Sequence, residues 1–185
     1  DIQGASTITQ QLAKNLFFSF EKTYTRKLKE LLVAFQIESS STKREILHAY
    51  VNQIHFGAGA QGIEQASLTF FGKPASKLTL SESALLAGLP KSPTRYNPFH
   101  HVERALARRR IVLNRMVQAG FISRDEADLA DRSKPVLNRE KSRSRIGGYF
   151  VDALTDQLIE RYGEDVVYHG GIKVYATLDV NAQIK

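Results

Sequence analysis

The sequence predicts a mainly α-helical domain, followed by a basic linker and the first helix and strands of an α/β segment. Three observations carry this expectation. Apolar residues recur at helical spacing in successive stretches, capping boxes of the form S/T-x-x-E/Q stand where several of those stretches begin, and glycine or proline closes most of them. Only towards the C-terminal end does the apolar spacing change to alternation.

The first helix is expected from Thr7, capped with Gln10, through Ile8, Leu12 and Leu16 to about Phe17. The next stretch holds Phe17, Phe18, Phe20 and Tyr24 without a clear period, and suits either core or a lipid interface. From Thr25 to about Glu38, the residues Leu28, Leu31, Leu32 and Phe35 follow an i, i+3, i+4, i+7 stripe and are assigned the buried side of a second helix. Arg26, Lys27 and Glu30 then share the polar side.

Thr42 and Glu45 open a third helix through Ile46, Leu47, Tyr50, Val51 and Ile54, and the Gly-rich stretch Gly57 to Gly62 reads as a loop. Two short helices are expected over Glu64 to Phe71 and Ser81 to Leu89, with Gly72, Pro74 and Pro90 as stops. A long helix runs from about His101 to Ala119, with Leu106, Ile111, Leu113, Met116 and Val117 inside and Gly120 as its end. Ser123 and Glu126 cap one more.

Between Asp131 and Gly148 the composition turns to Arg, Lys, Ser and Asn, the texture of a linker. Domains are therefore expected at 1–132 and 149–185, with 133–148 between them. Phe150, Leu154, Leu158 and Tyr162 predict a helix ended by Gly163, and Val166 to Tyr168 and Ile172 to Leu178 predict strands around Gly170-Gly171.

With 185 residues, 42% of them hydrophobic, the chain can bury one ordinary core and the start of a second. Its 26 Lys and Arg against 19 Asp and Glu give a net charge of +7, which favours an anionic partner such as nucleic acid, acidic lipid or a diphosphate. The absence of cysteine excludes a disulfide framework and thiolate metal sites. No apolar run is long enough to span a membrane, and the start at Asp1 without Met reads as a truncation. The five histidines show no zinc-binding spacing.

Lys14 and Asn15 near the end of the first helix, with Arg26 and Lys27 at the start of the second, supply ammonium, guanidinium and amide donors that suit a diphosphate. Each also has a plainer reading. Isolated Lys and Arg are usually solvated, and Glu30 one turn after Arg26 is an ordinary helix pair contributing about 0.3–0.5 kcal/mol. Tyr50 and Asn52 suit anchoring hydrogen bonds before a Gly-rich turn, and Arg108 and Arg109 suit bracing of the fold.

Four ordered motifs between residues 4 and 116 shift that balance. Gly4 to Asn15 (GASTITQQLAKN) resembles G-x-S-T-I-T-Q-Q-x-x-K-N, and Arg26 to Glu30 (RKLKE), followed by Ala34 and Glu38, resembles R-K-x-x-E. Lys43 to Asn52 (KREILHAYVN) resembles K-x-x-I-L-x-x-Y-x-N, with Val51 where Leu is usual. Arg108 to Met116 (RRRIVLNRM) resembles R-R-x-x-V-L-x-x-M. These are the motifs of the peptidoglycan glycosyltransferase domain of class A penicillin-binding proteins and monofunctional glycosyltransferases. The resemblance implies a lysozyme-like helical glycosyltransferase fold, here incomplete, that polymerises lipid II into glycan strands with release of lipid diphosphate.

The resemblance also assigns roles. Gln11, Lys14, Asn15, Arg26 and Lys27 match positions that hold the donor's diphosphate and adjoining sugar, and Ser6 and Thr7 match pocket-lining positions. Glu30 matches the second catalytic carboxylate, which assists at the diphosphate either through a divalent cation, Mg or Mn, or by orienting the basic residues. The first family motif, E-D-x-x-F-x-x-H-x-G with the general-base Glu, is not in this sequence and is expected upstream of Gly4.

Gly148 to Asp152 and Tyr162 to Asp179 resemble the segment joining the two catalytic domains of class A penicillin-binding proteins, which implies a bifunctional parent with a transpeptidase domain. The expected partners are lipid II, the growing glycan, the membrane surface and other cell-wall synthesis proteins, at the extracytoplasmic face of the bacterial membrane with an N-terminal anchor. No nucleic acid is expected. A basic nucleic-acid-binding module explains none of the four motifs, a glycan hydrolase needs no diphosphate cations, and a non-catalytic binding fragment follows if the base is absent.

Overall fold

The structure, a computed structural model, describes residues 7–17, 24–138, 148–163, 166–167 and 171–177. Ser6, Phe18, Phe20, Tyr168, Leu178 and residues 139–147 of the expected linker lie outside the described residues. The chain divides into two compact units, residues 1–53 with 143–185, and residues 54–142.

The first unit contains helices α1 (Ile8–Phe17), α2 (Tyr24–Ser40) and α3 (Lys43–Gln53). Helix α1 packs against both α2 and α3. The start of α1 is set as expected: Thr7 N–H donates to Gln10 Oε1 at 3.3 Å and Gln10 N–H to Thr7 Oγ1 at 3.2 Å. At α3, Thr42 N–H donates to Glu45 Oε2 at 2.8 Å and Glu45 N–H to Thr42 Oγ1 at 3.3 Å. The Thr42 N–H first, and then its hydroxyl, donate to the Glu45 carboxyl and hold it below its ordinary pKa.

Helix α2 overturns its sequence reading. Leu28, Leu32 and Phe35 are 61%, 64% and 76% exposed, whereas Glu30 is 1% exposed and Ala34 is also buried. The apolar stripe is the outer side, and the side expected to face solvent is the inner one. Two features make this inversion physically reasonable. Arg26 and Lys27 neutralise the Glu30 charge from the same helix, and Ala34, one turn on, leaves room for close helix approach.

Helix α8 (Gly148–Tyr162) also belongs to this unit and ends, as expected, at Gly163 with φ 84°. The strands expected after it are not observed. Val166 and Val167 are helical, and residues 171–177 carry no ladder among the described residues. Alternation alone does not make a strand without a partner to accept its hydrogen bonds.

In the second unit, the Gly-rich stretch read as a loop is a small antiparallel hairpin, β1 (His55–Gly57) with β2 (Ala60–Gln61). Positive φ at Gly57, Ala58 and Gly59 (90°, 51° and 71°) turns the chain tightly enough for the pairing. A side chain at Gly57 would meet the Pro93 carbonyl at 3.1 Å.

Helix α4 (Ile63–Phe71) ends at Gly72 in the left-handed conformation, φ 69°. Helix α5 (Leu80–Gly88) starts one residue before its predicted start, behind a fourth capping box. Thr79 accepts from Glu82 N–H, and Glu82 accepts from Thr79 N–H at 2.8 Å. The pattern T-x-x-E was present in the sequence and is the signal that the reading missed. A short 3-10 turn, Leu89–Lys91, follows and contains Pro90.

Helices α6 (Val102–Gln118) and α7 (Arg124–Arg132) pack together with α5. Leu113, Ala84, Ala127 and Ala130 form a core, with Leu80, Val112, Val117 and Ile122 against it. Ile111, assigned to the interior, is instead exposed. Two residues from Leu113, it lies roughly 160° round the helix from the buried row.

Arg109 occupies an inner position of α6 and is 2% exposed. Its guanidinium donates to Ser81 Oγ at 2.7 Å, to the Ser133 carbonyl at 2.8 Å and to the Asp131 carbonyl at 2.5 Å. The bracing reading of Arg109 therefore holds. The first residues of the expected linker are tied to this unit, since Asn138 N–H also donates to the Phe70 carbonyl at 2.8 Å. Among the described residues, no helix is long and apolar enough to cross a membrane.

Candidate functional site

Every described residue assigned to the site lies in the first unit, on α1, on α2 or just before α1. Thr7, Gln11 and Lys14 follow at i, i+4 and i+7, with Asn15 at their edge, and form one face. Thr9, Leu12 and Ala13 are buried on the opposite side. The α1 sequence thus divides a core side from an outer side made of a hydroxyl, two amides and an ammonium.

On α2, Arg26, Lys27 and Glu30 form a compact charge cluster. Lys27 Nζ donates to Glu30 Oε2 at 3.0 Å. Arg26 Nε lies 3.1 Å from Glu30 Oε1 but without the alignment of a hydrogen bond, so that contact is electrostatic. The carboxylate is buried while Lys27 is 46% exposed. The anion is the foundation and the ammonium is the accessible part. With two cations and one anion, the cluster keeps a net positive charge.

Both oxygens of Glu30 are occupied by cations of its own helix, so the geometry suits a residue that orients Arg26 and Lys27 more than one that removes a proton. The same observation bears on a divalent cation. A metal at Glu30 would have to approach beside two positive groups, and no cluster of three His, Cys, Asp or Glu side chains suited to a metal occurs among the described residues. Among the described residues, each Glu30 carboxylate oxygen already faces a cation of its own helix.

Side-chain bonds at Thr9 and Gln11 tie α1 to α2 and α3. Thr9 Oγ1 donates to Glu38 Oε1 at 2.7 Å, and Lys43 Nζ donates to Glu38 Oε2 at 3.1 Å. The Thr9 hydroxyl first, and then Lys43, hold the Glu38 carboxyl below its ordinary pKa. From α3, Tyr50 donates its phenol proton to Gln11 Oε1 at 2.9 Å. The sequence reading quoted Glu38 and Tyr50 within motifs but gave neither of them a partner. Nothing local indicates a contact between residues 39 positions apart. Asn52 turns back on its own helix and donates to the His48 carbonyl at 3.0 Å, the anchoring expected of it.

A family model described as transglycosylase matches residues 1–117, which include all four motifs and the whole charge cluster. The chain belongs to the transglycosylase family. It is 46% identical over 182 residues, 98% of its length, to penicillin-binding protein 1A of Aquifex aeolicus. It is 41% identical over 182 residues to penicillin-binding protein 1A of Escherichia coli. These matches cover 25% and 21% of the relatives' lengths, so the chain spans about a quarter of the proteins it resembles.

Among solved structures, the crystal structure of penicillin-binding protein 1A from Haemophilus influenzae aligns with all of the chain and 24% of its own, with a TM-score of 0.51 and 28% identity. The mainly helical fold of this chain thus resembles the corresponding region of penicillin-binding protein 1A. Similarity to the relatives continues past residue 117, where the family model ends, and takes in α8.

Proposed function

We propose that the protein is a peptidoglycan glycosyltransferase that polymerises lipid II. The observation that carries the reading is the Arg26, Lys27, Glu30 cluster, a buried carboxylate holding two cations in the R-K-x-x-E motif of a transglycosylase. In the reaction, an acceptor sugar hydroxyl attacks the anomeric carbon of the donor chain. The new glycosidic bond forms as the bond to the lipid diphosphate breaks. The electron pair leaves on the diphosphate, and the hydroxyl proton passes to a carboxylate base other than Glu30.

Fixed cations stabilise the charge that grows on the leaving group. Lys27, Arg26 and Lys14 supply that charge, while Gln11 and Asn15 supply amide donors and Thr7 a hydroxyl on the same side of α1. Glu30 works through Arg26 and Lys27. Without it, two long cationic side chains would lose the anchor that sets their direction.

The membrane surface is the proposed location, on the extracytoplasmic side where lipid II is consumed. Supporting it, the exposed stripe of Leu28, Leu31, Leu32 and Phe35 is bordered by exposed Lys27 and Lys29, the pairing of apolar and basic groups that suits a lipid interface. The parent is further proposed to be bifunctional, with residues 149–185 leading to a transpeptidase domain. The similarity to penicillin-binding proteins beyond residue 117 supports this.

The test is to give the full-length protein lipid II in detergent. Glycan polymer with release of lipid diphosphate is the expected result. Cleavage of lipid-free glycan, with no product from lipid II, overturns the reading in favour of a hydrolase.

A further inference from the structure

Tyr50 lies one helical turn after the buried Ile46 on α3, with its ring partly buried and its hydroxyl at α1. There it meets Gln11, an exposed residue on the outer face that also carries Lys14. A primary amide has two ends of similar shape and opposite character, an acceptor oxygen and a donor NH2. Rotation by about 180° exchanges them at little energetic expense unless a neighbour distinguishes them. For a group facing a diphosphate the difference is decisive: the NH2 attracts the phosphoryl oxygens, and the carbonyl repels them.

A phenol is a better donor than acceptor, and Tyr50 donates to Gln11 Oε1 at 2.9 Å. With the oxygen held at Tyr50, the NH2 is carried on the other side of the amide plane. Burial pushes the Tyr50 phenol above its ordinary pKa, so it keeps its proton throughout the neutral range.

We propose that Tyr50 is a positioning residue, which fixes the Gln11 amide with its oxygen inward so that its NH2 serves as a donor to the anionic part of the substrate. The proposal rests on the glycosyltransferase reading of the Gln11 and Lys14 face. A plainer role, a staple between α1 and α3, predicts a loss of thermal stability that Gln11→Ala shares, with kcat/KM per folded molecule unchanged.

A double-mutant cycle in the full-length protein separates the two. Tyr50→Phe keeps the ring and removes only the hydroxyl. It should lower kcat/KM for lipid II about 5- to 10-fold, the effect of one lost hydrogen bond on the substrate-binding group, while thermal unfolding changes little. In a Gln11→Ala background the same change should have no further effect on kcat/KM. If Tyr50→Phe leaves kcat/KM unchanged, or lowers it equally with and without Gln11, the positioning role is overturned. If the unmodified protein makes no polymer from lipid II, it is the functional reading that fails, which is a distinct outcome.

Discussion

Lys27 and Glu30 form a 3.0 Å ion pair in which the carboxylate is buried and the ammonium is half exposed. In the proposed reaction the buried partner orients and the exposed partner acts. That division assigns different consequences to mutating each of them.

Replacing Glu30 by Gln keeps the shape and removes the charge that directs Arg26 and Lys27. Polymerisation of lipid II by the full-length protein should fall at least about 10-fold, and Lys14→Ala should have an effect of similar size. Far-UV circular dichroism should remain helical for both. Near-normal rates would remove these residues from the site.

Arg109 and Arg110 are neighbours with unequal roles. Arg109→Met removes the donor shared by Ser81, Asp131 and Ser133 and should cost about 2–4 kcal/mol in urea unfolding, because three hydrogen bonds are lost and the buried Ser81 hydroxyl is left without its donor. Arg110 pairs with Asp131 at the surface, 67% exposed. Arg110→Ala should change stability by no more than about 1 kcal/mol.

The reversed side of α2 can be checked by substitution in both directions. Leu32→Ser and Phe35→Ser on the exposed stripe should change the unfolding free energy by less than about 0.5 kcal/mol. Ala34→Leu on the buried side should cost about 1–3 kcal/mol through overpacking. Calorimetry that gave the opposite ranking would restore the amphipathic reading of the sequence.

Gly72 and Gly120 both have positive φ, 69° and 73°, but differ in their surroundings. A Cβ at Gly72 would lie 2.9 Å from Asn138 Nδ2, whereas at Gly120 nothing is within 4 Å. Gly120→Ala should therefore cost only the left-handed backbone penalty of about 1–2 kcal/mol. Gly72→Ala should cost more, and chemical denaturation of the two variants gives the comparison.

Acid should destabilise the fold through its caps. Burial raises the Glu82 pKa, but the Lys73 ammonium at 2.7 Å and the Thr79 donors together outweigh it and hold the carboxyl below its reference value of 4.5. At Glu126 the Ser123 backbone N–H and hydroxyl act in the same direction. A lowered folded pKa means that the unfolded chain takes up protons first. The stabilisation is fully present above pH 4.5 and is lost as the pH falls through the lowered folded values. A melting temperature measured from pH 7 downward should hold until that window and then decline. Glu126→Gln should flatten part of the decline.

Much of this protein is determined locally and was therefore legible in its sequence. The Thr7, Thr42 and Ser123 caps and the Gly72, Gly120 and Gly163 stops depend on residues within one or two helical turns. The motifs identified the family for the same reason, being short strings of fixed spacing. Tertiary structure alone decided which side of α2 is inner. Apolar periodicity records where the hydrophobic residues lie on a helix, but Glu30 can be buried because Arg26 and Lys27 neutralise it within the folded unit. The Tyr50 bond to Gln11 and the Arg109 bonds to Ser81 and Asp131 are likewise long-range contacts. They exist only once packing has brought distant turns of the chain together.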